Sequence, residues 1–251
     1  MATFVGLDLA WTPHRESGVC VLEGDDRGLR VATIETVVAT PREFAERIAG
    51  TGDDVVAAID APLVVREGRR AEALLARHFG RYGAYGYVAN RPFLERMRGL
   101  AGPELGSLLA AAGVSLDPTE IGRNASGRFA FEMYPHAAQV VLFGLRRILR
   151  YKRGRLDARR SELELYRTCL AQLVDASPIA APGPLQELLW TPLDGATGRE
   201  LKQVEDRLDA LTCALAAFEA WQHGIAASEV FGSADAGSIA VPGMARDERF
   251  A

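Results

Sequence analysis

Three apolar runs open the chain: TFVGLDL (3–9), SGVCVLE (17–23) and LRVATIETVV (29–38), rich in β-branched residues and separated by clusters of Pro, Gly and Asp. Short runs bounded by turn residues predict three consecutive strands, most simply an antiparallel meander. Thr40 and Glu43 then make a capping box with Pro41 at the first helical position, which predicts a short helix ending near Gly50. DVVAAID (54–60) is a continuous apolar run of strand length, stopped by Pro62. A helix between two strands implies a right-handed crossover, so this fourth strand is expected parallel to the first and near it.

Residues 67–79 read as a helix, and RYGAYGYVANRP (81–92) reads as a loop. Helical patches resume over 93–112, RFAFEMY (128–134) predicts a fifth strand, and Pro135 opens a predicted helix through about Leu149. A basic connector, RYKRGR, leads to a helix over roughly 158–175, and SPIAAPGP (177–184) reads as a linker. The strongest helical signal is at 199–223, where Leu201, Val204, Leu208, Leu211, Leu215 and Phe218 form one apolar stripe. GSADAGSIAV (232–241) is expected to make a terminal strand in a hairpin-like extension. The expected architecture is one α/β domain over 1–251, with a helical insertion around 80–127 and a helical, basic segment around 135–198.

Against this pattern four acids stand where apolar residues would cost less: Asp8 in the first strand, Asp60 ending the fourth, Glu132 in the fifth and Asp209 in the last helix. Asp206 lies three residues before Asp209, so both carboxylates share one side of that helix. If strands one and four are neighbours, Asp8, Asp60 and the last helix meet at one end of the sheet. Such oxygen donors suit Mg²⁺ or Mn²⁺. Two ions about 4 Å apart would activate water and stabilise the leaving oxygen in phosphodiester hydrolysis. The competing reading for each acid alone is a cap or a structural ion pair.

Charge adds a possible substrate. Net charge is only −4, yet residues 61–160 carry 18 basic against 8 acidic side chains while both flanks are acidic. Arg146, Arg147, Arg150, Lys152, Arg153, Arg155, Arg159 and Arg160 are dense enough to track a phosphate backbone, and equally typical of a solvated helix and loop. Lys is used only at 152 and 202, against 27 Arg, so Lys152 is a candidate point charge for a phosphate or carboxylate, with simple chance as the alternative. Tyr82, Tyr85 and Tyr87, followed by Asn90 and Arg91, offer stacking faces for bases or simply pack a loop. His136 near a helix start and His14 at the first hairpin tip are read as ordinary residues of their elements. The three cysteines, Cys20, Cys169 and Cys213, are widely spaced and read as reduced, buried thiols without a zinc site. No apolar run is long enough to cross a bilayer and the N-terminus lacks a secretory pattern, so the expectation is a soluble cytoplasmic protein without a membrane partner.

The segments VGLDLAW, AAIDAPL, FEMYPHA, YKRG and EDRLDALTCALAAF, in that order, resemble domain of unknown function 429, a family described as predicted nucleases of the ribonuclease H-like fold. The resemblance covers nearly the whole chain and implies a five-stranded mixed sheet in the order 3-2-1-4-5, with strand 2 antiparallel, flanked by helices. The layout is also similar to that of bacterial Holliday-junction resolvases, whose acids lie on strand one, on strand four and as an i, i+3 pair on the last helix; Asp8, Asp60, Asp206 and Asp209 match these positions. An aspartate at Asp60 in place of a glutamate, the Pro-containing turn after it, and the long segment before the last helix depart from that pattern.

The expected function is therefore a divalent-metal-dependent nuclease using Mg²⁺ or Mn²⁺. Asp8, Asp60, Asp206 and Asp209 are its candidate ligands; Asp8, Asp60, Asp209, Glu132 and Lys152 are its candidate catalytic residues; Glu132 and Asp206 are the alternatives for positioning water. Nucleic acid is the expected partner, and a homodimer is left open. Two other classes remain: a ribonuclease H-like scaffold or nucleic-acid-binding module without turnover, and an ATP-using relative of sugar kinases and actin. The last is weakened because TPHRES contains no Gly to hold phosphates.

Overall fold

The computed structural model describes residues 1–12, 14–177, 179–180, 183–244 and 249. The three opening apolar runs form the expected meander: β1 (Ala2–Asp8), β2 (Ser17–Asp25) and β3 (Gly28–Val37), each antiparallel to the next. Thr40 caps α1 (Pro41–Gly50) through the capping box, accepting the Glu43 backbone N–H at 3.2 Å. The chain then returns as β4 (Val55–Ile59), parallel to β1. After α2 (Ala71–Phe79), α3 (Arg91–Met97) and α4 (Ala101–Ala111), β5 (Arg128–Glu132) adds in parallel to β4. Next come α5 (Pro135–Leu142), α6 (Leu156–Asp175), β6 (Ile179–Ala180), α7 (Pro184–Trp190) and α8 (Gly198–His223). A two-stranded hairpin of β7 (Glu229–Ser233) and β8 (Gly237–Val241) follows.

The mixed sheet has six strands rather than the expected five, in the order β5-β4-β1-β2-β3-β6. The added strand falls in SPIAAPGP, read from its prolines as a linker; Ile179 and Ala180 pair in parallel with Leu29 and Arg30 at the sheet edge. Pro178, Ala181 and Pro182 of that stretch, and Pro13 of the first hairpin, lie outside the described residues. Two helices are shorter than expected. The helix from Pro135 ends at Leu142 rather than Leu149, because Gly144 takes a positive φ of 63° and turns the chain away. The helix expected from residue 67 starts at Ala71, after Gly68 at φ 84°. Among the described residues no helix is long and apolar enough to cross a membrane.

Each face of the sheet buries its own core. Val5, Leu7, Val55, Ala57 and Ile59 pack with Phe44, Ile48, Leu105 and Leu109 of α1 and α4. Phe4, Cys20, Leu22, Val56, Ala58 and Phe131 pack on the other face with α6, α7 and α8, including Tyr166, Leu189 and the apolar stripe of α8. On this second face α8 lies directly on the strand backbones. A Cβ added to Gly6 would stand 1.9 Å from the Ala210 carbonyl oxygen, and one added to Gly18 would stand 1.9 Å from that of Asp206. Neither obstacle is a side chain that can swing aside. Close approach of the segment holding Asp206 and Asp209 thus depends on two glycines in the strands beneath it.

Gly6→Ala is therefore expected to lower stability by about 3 kcal/mol in a urea titration. Gly28→Ala, with open space around it, should change it by less than about 1 kcal/mol.

Candidate active site

Strand parity places the first two acids. Residues alternate between faces, so Asp8 follows Phe4 and Gly6 towards α8, and Asp60 follows Val56 and Ala58 to the same side. Leu7 is level with Ile59 in the parallel pairing, and the Asp60 N–H donates to the Leu7 carbonyl at 2.8 Å. The register therefore continues one residue past β4 and sets Asp60 beside Asp8. From above, α8 brings Asp206 into hydrogen-bonding contact with the Asp8 carboxyl. One turn on it places Asp209, which has no exposed surface.

Asp209 is held by groups that came from neither strand. Its Oδ1 accepts the Tyr151 hydroxyl at 2.7 Å, the Tyr166 hydroxyl at 3.0 Å and Gln139 Nε2 at 3.4 Å, while its Oδ2 lies 2.9 Å from Lys152 Nζ. Lys152 also reaches Asp60 Oδ2 at 3.8 Å. The loop that carries it is pinned: Tyr151 is fully buried, and its carbonyl accepts Arg159 Nε at 2.9 Å. Lys202 makes a similar bridge on α8, with Nζ 2.9 Å from Glu205 Oε1 and in contact with Asp206.

The electrostatics sort these acids. Burial pushes the Asp8 and Asp60 carboxyls upward, Asp60 well above the carboxylate range; Lys152 opposes the shift, Asp209 adds to it for both, and Asp8 adds to it for Asp60. Asp206 is pushed up to about 8, by burial first and by the Asp8 charge second. Asp209 goes the other way: burial alone would raise it, but Lys152 and the Tyr151 hydrogen bond hold it below its ordinary value. Burial works against the Lys152 ammonium, yet Asp209, Asp8 and Asp60 keep it well above the ordinary lysine value. His136, lowered to about 4 by burial and then by Lys152, is a neutral imidazole at physiological pH.

Glu132 sits apart from the other acids. It is paired with Ile59, so it shares the parity of Ala130 and faces away from Asp8 and Asp60. There Arg69 Nη2 holds it at 2.7 Å and Glu72 at 2.6 Å, all three side chains being buried, and the Leu63 N–H reaches Glu132 at 3.3 Å. Burial leaves Glu132 at about 7 despite Arg69.

Asp8, Asp60, Asp206, Lys152, Lys202 and His136 line a cleft of about 850 Å³. Its rim carries Trp11, Tyr85, Tyr87, Arg150 and Arg153. Tyr85 and Tyr87 are largely exposed, Trp11 meets Tyr87 edge-on at 6.1 Å, and Arg153 bonds the Tyr87 hydroxyl. Other members of the aromatic and basic set are engaged elsewhere. Tyr82 packs on Phe79, Asn90 caps α3 by accepting the Phe93 N–H at 2.9 Å, and Arg91 pairs with Glu95. Arg147 pairs with Glu162, Arg159 with Glu205 and Arg160 with Asp157. All three cysteines are free, with Cys20 and Cys213 buried and Cys169 only half-buried. Among the described residues, no three His, Cys, Asp or Glu side chains are grouped so as to hold a metal ion.

Sequence reasoning passed over Tyr151, Tyr166, Gln139 and Arg69. It noted Lys202 only as the second of two lysines, although that scarcity was the one available signal. A family profile described as Protein of unknown function (DUF429) matches residues 6–230. The chain belongs to this family. The matched segment includes the cleft residues named above, from Asp8 on β1 to Asp206 on α8. No curated protein matches the chain.

Two predictions follow from the buried charges of this DUF429 cleft. Asp206 stands at about 8 in the fold against an ordinary value of 3.8, so the folded state binds its proton more tightly than the unfolded chain. Its contribution is complete below the ordinary value and is lost as pH rises through about 8; Asp8 and Asp60 act with the same sign. Melting temperature should therefore fall between about pH 6.5 and 8.5, above the range in which His136 titrates, and Asp206→Asn should flatten that slope. Separately, Arg69→Met strands Glu72 and Glu132 without their cation and should cost about 3–5 kcal/mol in denaturant titration at pH 8, and less at pH 5 where Glu132 takes a proton.

Proposed function

We propose that this protein is a divalent-metal-dependent phosphodiesterase of the ribonuclease H-like type that acts on nucleic acid. The supporting observation is the surplus of carboxylates where β1, β4 and α8 meet: Asp8, Asp60 and Asp206 share one end of the sheet, and all three carboxyls are raised, by burial first and by a neighbouring aspartate's charge in addition. An oxygen-only, anionic donor set of this kind is chemically suited to a hard divalent cation. Among the described residues no three such donors are drawn together, and Lys152 and Lys202 lie against Asp60 and Asp206. Asp8, Asp60 and Asp206 would hold Mg²⁺ or Mn²⁺, which supplies a Lewis acid for the phosphoryl oxygen and a lowered pKa for bound water.

The chain's own groups cover the remaining needs of phosphodiester hydrolysis. Asp209, locked by Tyr151, Tyr166 and Lys152, orients the lysine. Lys152 presents an ammonium to the cleft, where a phosphate would be neutralised. On the rim, Tyr85, Tyr87 and Trp11 offer faces to bases, and Arg150 and Arg153 offer charge to a phosphate backbone.

The purified chain is expected to cleave at least one of single-stranded DNA, duplex DNA, RNA, hybrid or branched substrate, only with Mg²⁺ or Mn²⁺ present. Asp8→Asn should lower that rate at least about a hundredfold while circular dichroism stays unchanged. A second reading, a nucleic-acid-binding module without turnover, is favoured by one observation: Lys152 and Lys202 already lie against the carboxylates. Retained nucleic-acid binding with no Mn²⁺ uptake in calorimetry and no cleavage would select it.

A further inference from the structure

Between the turn at Gly80–Tyr82 and α3, residues 84–90 form neither helix nor strand, and Tyr85, Gly86 and Tyr87 of this segment line the cleft. Tyr85 and Tyr87 are 64% and 59% exposed, so two aromatic side chains stand open at the mouth of a charged site. They are nonetheless held in place. The Tyr134 hydroxyl donates to the Tyr85 carbonyl at 3.1 Å, which ties the segment to the cleft wall. Arg153 Nη2 donates to the Tyr87 hydroxyl, and Trp11 meets the Tyr87 ring at 6.1 Å with the two planes 74° apart. Arg153 directly follows Lys152, whose ammonium reaches Asp209 at 2.9 Å and Asp60 at 3.8 Å. One loop thus carries both the residue that orients the aromatic platform and the cation of the inner cleft.

What such a platform can hold follows from where bases keep their faces. In a duplex each face is covered by the neighbouring pairs, and a protein meets only groove edges and phosphates. An unpaired base, by contrast, can lay its face on an aromatic ring whatever its sequence. Charge points the same way. The cleft lining carries five carboxyl groups, Asp8, Glu16, Asp60, Glu72 and Asp206, against four cations, Arg150, Lys152, Arg153 and Lys202, in a chain of net charge −4. Duplex DNA brings one negative charge per roughly 1.7 Å of axis, against roughly 3.4 Å for one of its strands. The denser polyanion meets the greater repulsion, and stacking is an attraction that this repulsion does not weaken. Two tyrosines and a tryptophan also offer more ring surface than one base covers, which favours a strand over a lone nucleotide.

Resting on the nucleic-acid part of the reading above, and on no bound metal, we propose that the cleft selects unpaired nucleic acid. A single strand enters over residues 84–90, Tyr87 stacks one of its bases, and Arg153 and Lys152 take the adjoining phosphate.

Fluorescence anisotropy of short labelled oligonucleotides with the full chain, in EDTA and at fixed ionic strength, tests this. Wild-type protein should bind oligothymidylate or oligouridylate at least about tenfold more tightly than oligothymidylate annealed to oligoadenylate, and the tighter of the two strands names the sugar. Tyr87→Ala should lose about tenfold in strand affinity with an unchanged circular dichroism spectrum, whereas Tyr87→Phe, which keeps the ring, should retain most of it. Duplex bound as tightly as strand, or full strand affinity in Tyr87→Ala, would overturn the proposal and leave the nucleic-acid reading standing. So would an equal loss in Tyr87→Phe and Tyr87→Ala, because the hydroxyl rather than the ring would then carry the effect. Thymidine monophosphate bound as tightly as the strand would also overturn it. Strand-selective binding that depends on the Tyr87 ring, without cleavage when Mg²⁺ or Mn²⁺ is added, would uphold it and overturn the phosphodiesterase reading alone. Absence of binding to strand and duplex alike would overturn both.

Discussion

Asp209 carries its charge with no exposed surface, and an isolated carboxylate in such a place is costly enough that it would take a proton instead. It stays ionised because the Tyr151 and Tyr166 hydroxyls and the Lys152 ammonium close around it. Those three groups come from the loop after α5 and from α6, while Asp209 belongs to α8. One buried anion therefore ties the helical layer to the basic loop, and in doing so fixes where Lys152 stands. The loop has little freedom of its own, since Leu149 and Tyr151 are sunk in the core and the Ile148 N–H donates to the Tyr82 carbonyl at 2.9 Å.

Around this anchor the remaining charges are held in partial conflict. The Asp8 charge raises the Asp206 carboxyl beside it, and Asp60 is raised by burial and by its neighbours. Such mutual repulsion is tolerated because the glycines in β1 and β2 let α8 settle against the sheet, where the apolar stripe of the helix contributes the burial that offsets it. Perturbed carboxyls in a cleft are common at functional sites, and here they coincide with an aromatic and arginine-bearing rim. Glu132 shows the contrast: equally buried, but matched by Arg69, it belongs to the joint between β5, the turn after β4 and α2.

Much of the fold was legible along the chain because its signals are local. The capping box at Thr40 and Glu43 is a three-residue spacing, the opening strands are bounded by turn residues, and the stripe of α8 repeats with the helical period. β6 escaped because a two-residue strand among prolines has no pattern of its own; it exists through pairing with Leu29 and Arg30. The helix after Pro135 was overextended because apolar residues continue beyond Gly144, whose positive φ ends it.

For the site, sequence alone determined which acids interrupt apolar elements, that Asp206 and Asp209 share a helix face, and that lysine is confined to two positions. These follow from spacing within single elements and from composition. Tertiary structure decided which of those acids meet. The register of Ile59 against Glu132 turns Glu132 to the opposite face from Asp8 and Asp60, although all three end strands of one sheet. It also decided that Tyr151, Tyr166 and Lys152 converge on Asp209 from 58, 43 and 57 residues away. Spacing along a chain fixes a side chain's direction within its own strand or helix, but contact between distant elements depends on register and close packing, which only the assembled fold supplies.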